Sequence, residues 1–162
     1  AIWLGIRKRA NPSLSKPLLI GFADEAAPMV EEEITEISQF FPEASVFTGS
    51  AATFANFEAN VRAGQVLHLA CHGQFRADNP LYSNLRIADG QITVRDIASK
   101  ALDGSVLVLS ACETGVSKVF PGNELVGLAR GCILAGAGAV LLSLWTVNDE
   151  TTKRLMVDFY MN

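Results

Sequence analysis

The chain has 162 residues, 49% of them hydrophobic, with a formal net charge of −4. That length suits one domain with a sizeable core, and an acidic balance without a long basic run excludes nucleic acid as an expected partner. No apolar run reaches the ~20 residues of a transmembrane helix and no signal peptide is visible, so no membrane partner is expected either. The 3 cysteines are odd in number and lack disulfide spacing, which favours a reducing, cytoplasmic setting.

Ala1–Arg9 reads as the end of a helix, with Ile2, Trp3 and Ile6 ahead of a basic last turn. It starts without a cap, which suggests a piece of a longer chain. Asn11–Lys16 reads as a linker rich in Pro and Ser. Residues 1–17 are therefore expected as helix end and linker, and 18–162 as the core of a single domain. Leu18–Phe22 is a buried strand. Met29–Phe41 is a helix, with Val30, Ile34, Ile37, Phe40 and Phe41 at helical spacing and Glu31–Glu33 near its N-terminus. Ala44–Thr48 is a short strand near a sheet edge, and Thr53–Val61 a helix closed by Gly64.

Val66–Ala70 is a buried strand that exits into Cys71-His72-Gly73. Beyond it, Leu85-Arg86-Ile87, Asp89-Gly90 and Ile92 predict a β-hairpin over roughly residues 80–92. Thr93 caps a short helix, Val94–Ser99. Val106–Ser110 is a second buried strand, followed by Ala111, Cys112, Glu113, Thr114 and Gly115. Asn123 caps a helix over Glu124–Ala135. A strand at Ala139–Leu144 and a helix at Glu150–Tyr160 complete the order. The pattern predicts an α/β fold, a mainly parallel sheet with helices on both faces.

In open α/β sheets chemistry sits past the C-terminal ends of strands. His72 and Cys112 each follow such an end, and sequential strands are usually neighbours. A thiolate nucleophile needs a base within about 3 Å, and His72 is the candidate. The N–H of Gly73 could face a developing oxyanion. Cys71 and Cys132 read as small core hydrophobes and His68 as a packed core histidine. The His/Cys spacing lacks a structural-zinc pattern, and no phosphate loop of the form GxxxxGK occurs, so neither metal nor cofactor is expected. Asp149 reads equally as a helix cap and as a pocket residue, and Trp145 as packing or pocket wall.

Several phrases closely resemble the CHAT domain, the caspase-like peptidase module often fused to tetratricopeptide repeats. They are HLACHGQFRADNPLYSNLRIADG, LVLSACETG and GNELVGLARGCILAGAGAVLLSLWTVND, with the closing FY. The resemblance spans roughly Leu18 to Tyr160. It implies a caspase-like three-layer fold, incomplete at both ends, and a separase-like cysteine endopeptidase. It also implies His72 as base, Cys112 as nucleophile, and backbone N–H groups of Gly73 and Cys112 as the oxyanion hole. Trp145 and Asp149 fall in a stretch similar to the separase pocket for the residue before the cut. Asp149 matches an acidic position there, implying a basic residue before the cut, whereas Thr146 departs from the pattern. Expected partners are a peptide or protein substrate and a tetratricopeptide-repeat region of the same natural chain. The competing expectation is a catalytically silent caspase-like interaction module.

Overall fold

Val, Leu and Ile runs too short for helices are stable only where sheet neighbours satisfy their backbone and other layers cover both faces. The computed structural model describes residues 2–6, 13–25, 27–74, 76, 79–111, 129, 131–143 and 149–161. In it these runs become β2 (Ser13–Phe22), β3 (Ser45–Thr48), β4 (Gln65–Cys71), β8 (Val106–Ser110) and β9 (Ala139–Ser143). They are parallel to one another. With β1 (Ile2–Ile6), antiparallel to β9, they form a six-stranded sheet in the order β1-β9-β8-β4-β2-β3. The helices are α1 (Val30–Ser38), α2 (Phe54–Asn60), α3 (Val94–Ala98), α4 (helical at 129 and 131–134) and α5 (Asp149–Met161).

Side chains alternate across a strand with period two, so each strand feeds two cores. Leu67, Leu69 and Cys71 of β4 join Leu107, Leu109, Phe57, Val94, Ile97 and Cys132 in one cluster, on the side of α2, α3 and α4. Ala70 and Val108 join Val30, Ile34, Ile37 and Met156 in the other, beneath α1 and α5. The result is a three-layer α/β sandwich. Each fully buried Leu or Ile contributes about 1.5–3 kcal/mol, and the chain supplies enough on both faces to seat β4 and β8 at the centre.

The expected hairpin is present. β6 (Asn84–Ile87) and β7 (Gly90–Thr93) pair antiparallel, and β5 (Gly73–Gln74) adds a third strand to this small sheet. Thr93 caps α3 in a reciprocal box: its hydroxyl accepts from the Asp96 N–H at 3.1 Å, and the Asp96 carboxylate accepts from the Thr93 N–H at 2.8 Å. β3 lies at the sheet edge, as its brevity suggested.

The N-terminal expectations need correction. Ile2–Ile6 is a strand, not a helix end, with Trp3 opposite Leu142 and Leu4 opposite Leu141. The run IWLGI suits a pleated surface, and the free edge of β9 decides its state. Nor is Asn11–Lys16 wholly a linker, because Ser13 already opens β2. The ladder to β4 shifts register between Ser13 and Leu18. Pro17 lies inside that shift, and without an N–H it cannot donate to the neighbouring strand. The expected start of α4 at Asn123 lies outside the described residues.

Candidate active site

The two strands that carry the expected dyad are neighbours. β4 and β8 pair in parallel through Val66–Val106, Leu67–Leu107, His68–Val108, Leu69–Leu109 and Ala70–Ser110. Both therefore leave the sheet at one level, His72 two residues past Ala70 and Cys112 two residues past Ser110. Cys112, expected as nucleophile and oxyanion donor, and Trp145, expected at the pocket, lie outside the described residues.

His72 is half-buried in the step between β4 and β5. Its carbonyl accepts from the Arg86 N–H at 2.9 Å, and the next residue, Gly73, pairs with Leu85. In an antiparallel ladder this pattern makes Gly73 and Leu85 a non-hydrogen-bonded pair. The Gly73 N–H is thereby turned away from β6. The hairpin thus fixes the backbone on either side of the imidazole.

The other two thiols are buried. Cys71 is 3% exposed and Cys132 wholly enclosed. Burial, helped by the charges of Asp24 and Glu33, pushes the Cys71 thiol far above its ordinary range. Burial also pushes Cys132 up to about 12, slightly offset by a backbone hydrogen bond. Neither forms a useful thiolate near neutrality, as expected of core cysteines.

His68 is also a core residue, with partners the sequence reading missed. Its Nε2 lies 2.8 Å from Glu33 Oε1, its Nδ1 lies 3.0 Å from the Tyr160 hydroxyl, and the Ser110 hydroxyl donates to Glu33 Oε2 at 3.1 Å. Burial and the Glu33 charge push the Tyr160 hydroxyl far up. It therefore stays protonated and can donate to Nδ1, leaving Nε2–H to donate to the carboxylate. The available signal was Glu33 itself, which falls on the apolar stripe Val30, Ile34, Ile37 of α1. A serine-hydrolase triad does not form, because Ser110 is buried and donates to Glu33 rather than to His68.

Asp149 opens α5, and its Oδ2 accepts from the Met29 N–H at 2.6 Å, at the entry to α1. Its carboxyl is raised, chiefly by burial. The Met29 hydrogen bond opposes the shift, and the charges of Glu33 and Asp24 add to it. Asp24 in turn pairs with Arg86 at 3.2 Å. Carboxylates thus stand beyond β2 and at the start of α5, with Arg86 against the first of them. Among the described residues no group of three or more His, Cys, Asp or Glu is arranged to hold a metal ion. His68 and Cys71 face opposite sides of the sheet. No helix among them is long and apolar enough to cross a membrane.

A family model for the CHAT domain matches residues 4–162. The chain belongs to the CHAT domain family. CHAT domains are caspase-like and related to peptidases, which agrees with a parallel sheet whose central strands lead to histidine and cysteine. A search of curated proteins finds no match. Among solved structures, Streptococcus pneumonia TIGR4 flavodoxin is 12% identical, with a TM-score of 0.47 over 92% of this chain and 96% of that one. At that level the likeness carries no argument about what this CHAT domain does.

Proposed function

We propose that this CHAT domain is a cysteine endopeptidase in which Cys112 is the nucleophile and His72 its base. The observation that carries the reading is the pairing of Ala70 with Ser110. Two residues of chain reach no further than about 7 Å, so 72 and 112 are tied to neighbouring strand ends. In this mechanism His72 takes the thiol proton and the sulfur attacks the peptide carbonyl. N–H groups of Gly73 and Cys112 hold the oxyanion. The tetrahedral intermediate then expels the amine, which His72 protonates, and water cleaves the thioester to free Cys112. Burial of Cys71 and Cys132 supports the choice of thiol.

Specificity for a basic residue before the cut rests on Asp149, with Trp145 as a pocket wall. The Asp24 carboxylate, close enough for its charge to act on Asp149, supports it. One oxygen of Asp149 is already bonded to the Met29 N–H, so a substrate cation would share this carboxylate with the entry to α1. The substrate is a peptide or protein of the reducing cytoplasm, and a tetratricopeptide-repeat region of the natural chain is the proposed internal partner.

The test is cleavage of a peptide library by the natural full-length chain. Cuts after Lys or Arg that vanish in Cys112→Ala, with the thermal transition retained, are the expected result. Library peptides left intact by the wild type, or cut equally well by Cys112→Ala, would refute the assignment. The first of these outcomes would favour a silent interaction module.

A further inference from the structure

Glu33, His68, Ser110 and Tyr160 come from four different elements and meet beneath the rim, between the sheet and helices α1 and α5. We propose that Glu33 is a positioning residue for the thiol of Cys112. By holding Ser110, the last residue of β8, against His68 of β4, it fixes the exits of the two strands relative to each other. The inference rests on reading Cys112 and His72 as the catalytic dyad.

The position of the carboxylate argues for this role. Glu33 is 1% exposed and His68 is fully enclosed. A leucine at 33 would extend the stripe of Val30, Ile34 and Ile37 without the desolvation cost of a buried charge. What the carboxylate adds is a two-sided hydrogen bond, one oxygen to each strand. Among the described residues Ala70–Ser110 is the last pair of the β4–β8 ladder. The Ser110–Glu33–His68 connection adds a diagonal side-chain tie, from Ser110, two residues before the thiol, down to His68, which lies opposite Val108. Tyr160 backs the imidazole from α5, with the two rings 5.6 Å apart. Asp149 from α5 and Cys71 of β4 also feel the Glu33 charge, and both feel that of Asp24 after β2. A polar tie of this kind specifies one arrangement of the strand ends where apolar packing tolerates several.

The experiment follows alkylation of Cys112 by iodoacetamide, mapped by peptide mass, from about pH 5 to 9. It compares wild type, Ser110→Ala, Glu33→Gln and His72→Ala. Ser110→Ala removes the tie at one end and leaves the Glu33–His68 pair intact. It should slow Cys112 roughly tenfold and displace the pH profile, while Cys71 and Cys132 stay protected. The amide of Glu33→Gln can accept from His68 and donate to Ser110, so this variant should stay within about twofold of wild type. Ser110→Ala with the wild-type rate and profile overturns the proposal if Cys112 is fast and depends on His72. So does Glu33→Gln as slow as Ser110→Ala, which would assign the effect to charge. Wild-type Cys112 no faster than a free thiol and indifferent to His72→Ala would refute the dyad, and this inference with it.

Discussion

Replacing Gly21 by alanine tests how closely α1 must approach the sheet. A Cβ at this position of β2 would lie 2.5 Å from Ile34 Cγ1 and 3.1 Å from Val30 Cγ1. Both belong to β-branched residues that are stiff in a helix, and Ile34 is fully buried. The clash cannot be relieved by a flexible chain end, so α1 must lift or Ile34 must leave its rotamer. Overpacking of this kind costs about 1–3 kcal/mol. Ile34→Ala alone should cost about 2–5 kcal/mol through the cavity it leaves. In the double variant the new Cβ enters space that Ile34 has vacated. The pair should then be less destabilised than the two single changes together, by about 0.5–3 kcal/mol. Urea unfolding of all four proteins, with equal m-values, gives this coupling directly. Additivity within about 0.5 kcal/mol would refute the close seating of α1 over β2. That seating also brings Glu33 within reach of His68 and Ser110.

Two further predictions concern local devices. Thr93→Ala removes half of the capping box on α3 and should lower stability by about 0.5–2 kcal/mol, read from the urea midpoint; an unchanged midpoint would contradict it. The Asp149 carboxyl is raised above its ordinary value, chiefly by burial. Its contribution to stability is therefore full below the carboxylate range and is lost as pH rises through the raised pKa. Asp149→Asn keeps an acceptor for the Met29 N–H but cannot ionise. Its thermal midpoint should accordingly gain on wild type between about pH 3 and pH 7, and a relative loss over that interval would refute the assignment.

Much of the fold was legible because the parallel strands are buried on both faces. VLHLA and VLVLS announce themselves by unbroken apolar content, and Asp89-Gly90 marks the hairpin by turn chemistry. β1 was not legible, since IWLGI gains its strand state from the exposed edge of β9, a partner far along the chain. The start of β2 was hidden by Pro17, which reads as linker chemistry and sits instead at a register shift. Within the candidate site, His72 and Gly73 were legible as residues just past a strand end. The buried pair of Glu33 and His68 was not. Its members are separated in sequence, and an acidic N-terminal turn on α1 explains Glu31 and Glu32 as readily as Glu33. Only the place of Glu33 on an apolar stripe distinguishes it.

The central claim is that an imidazole at 72 activates the sulfur at 112. It is tested most directly by labelling the native chain at neutral pH with a peptidyl electrophile ending in Lys or Arg, and mapping the adduct. The account predicts a single adduct on Cys112, far ahead of Cys71 and Cys132 and strongly slowed by His72→Ala. Slow labelling of all three thiols alike, unchanged by His72→Ala, would contradict it.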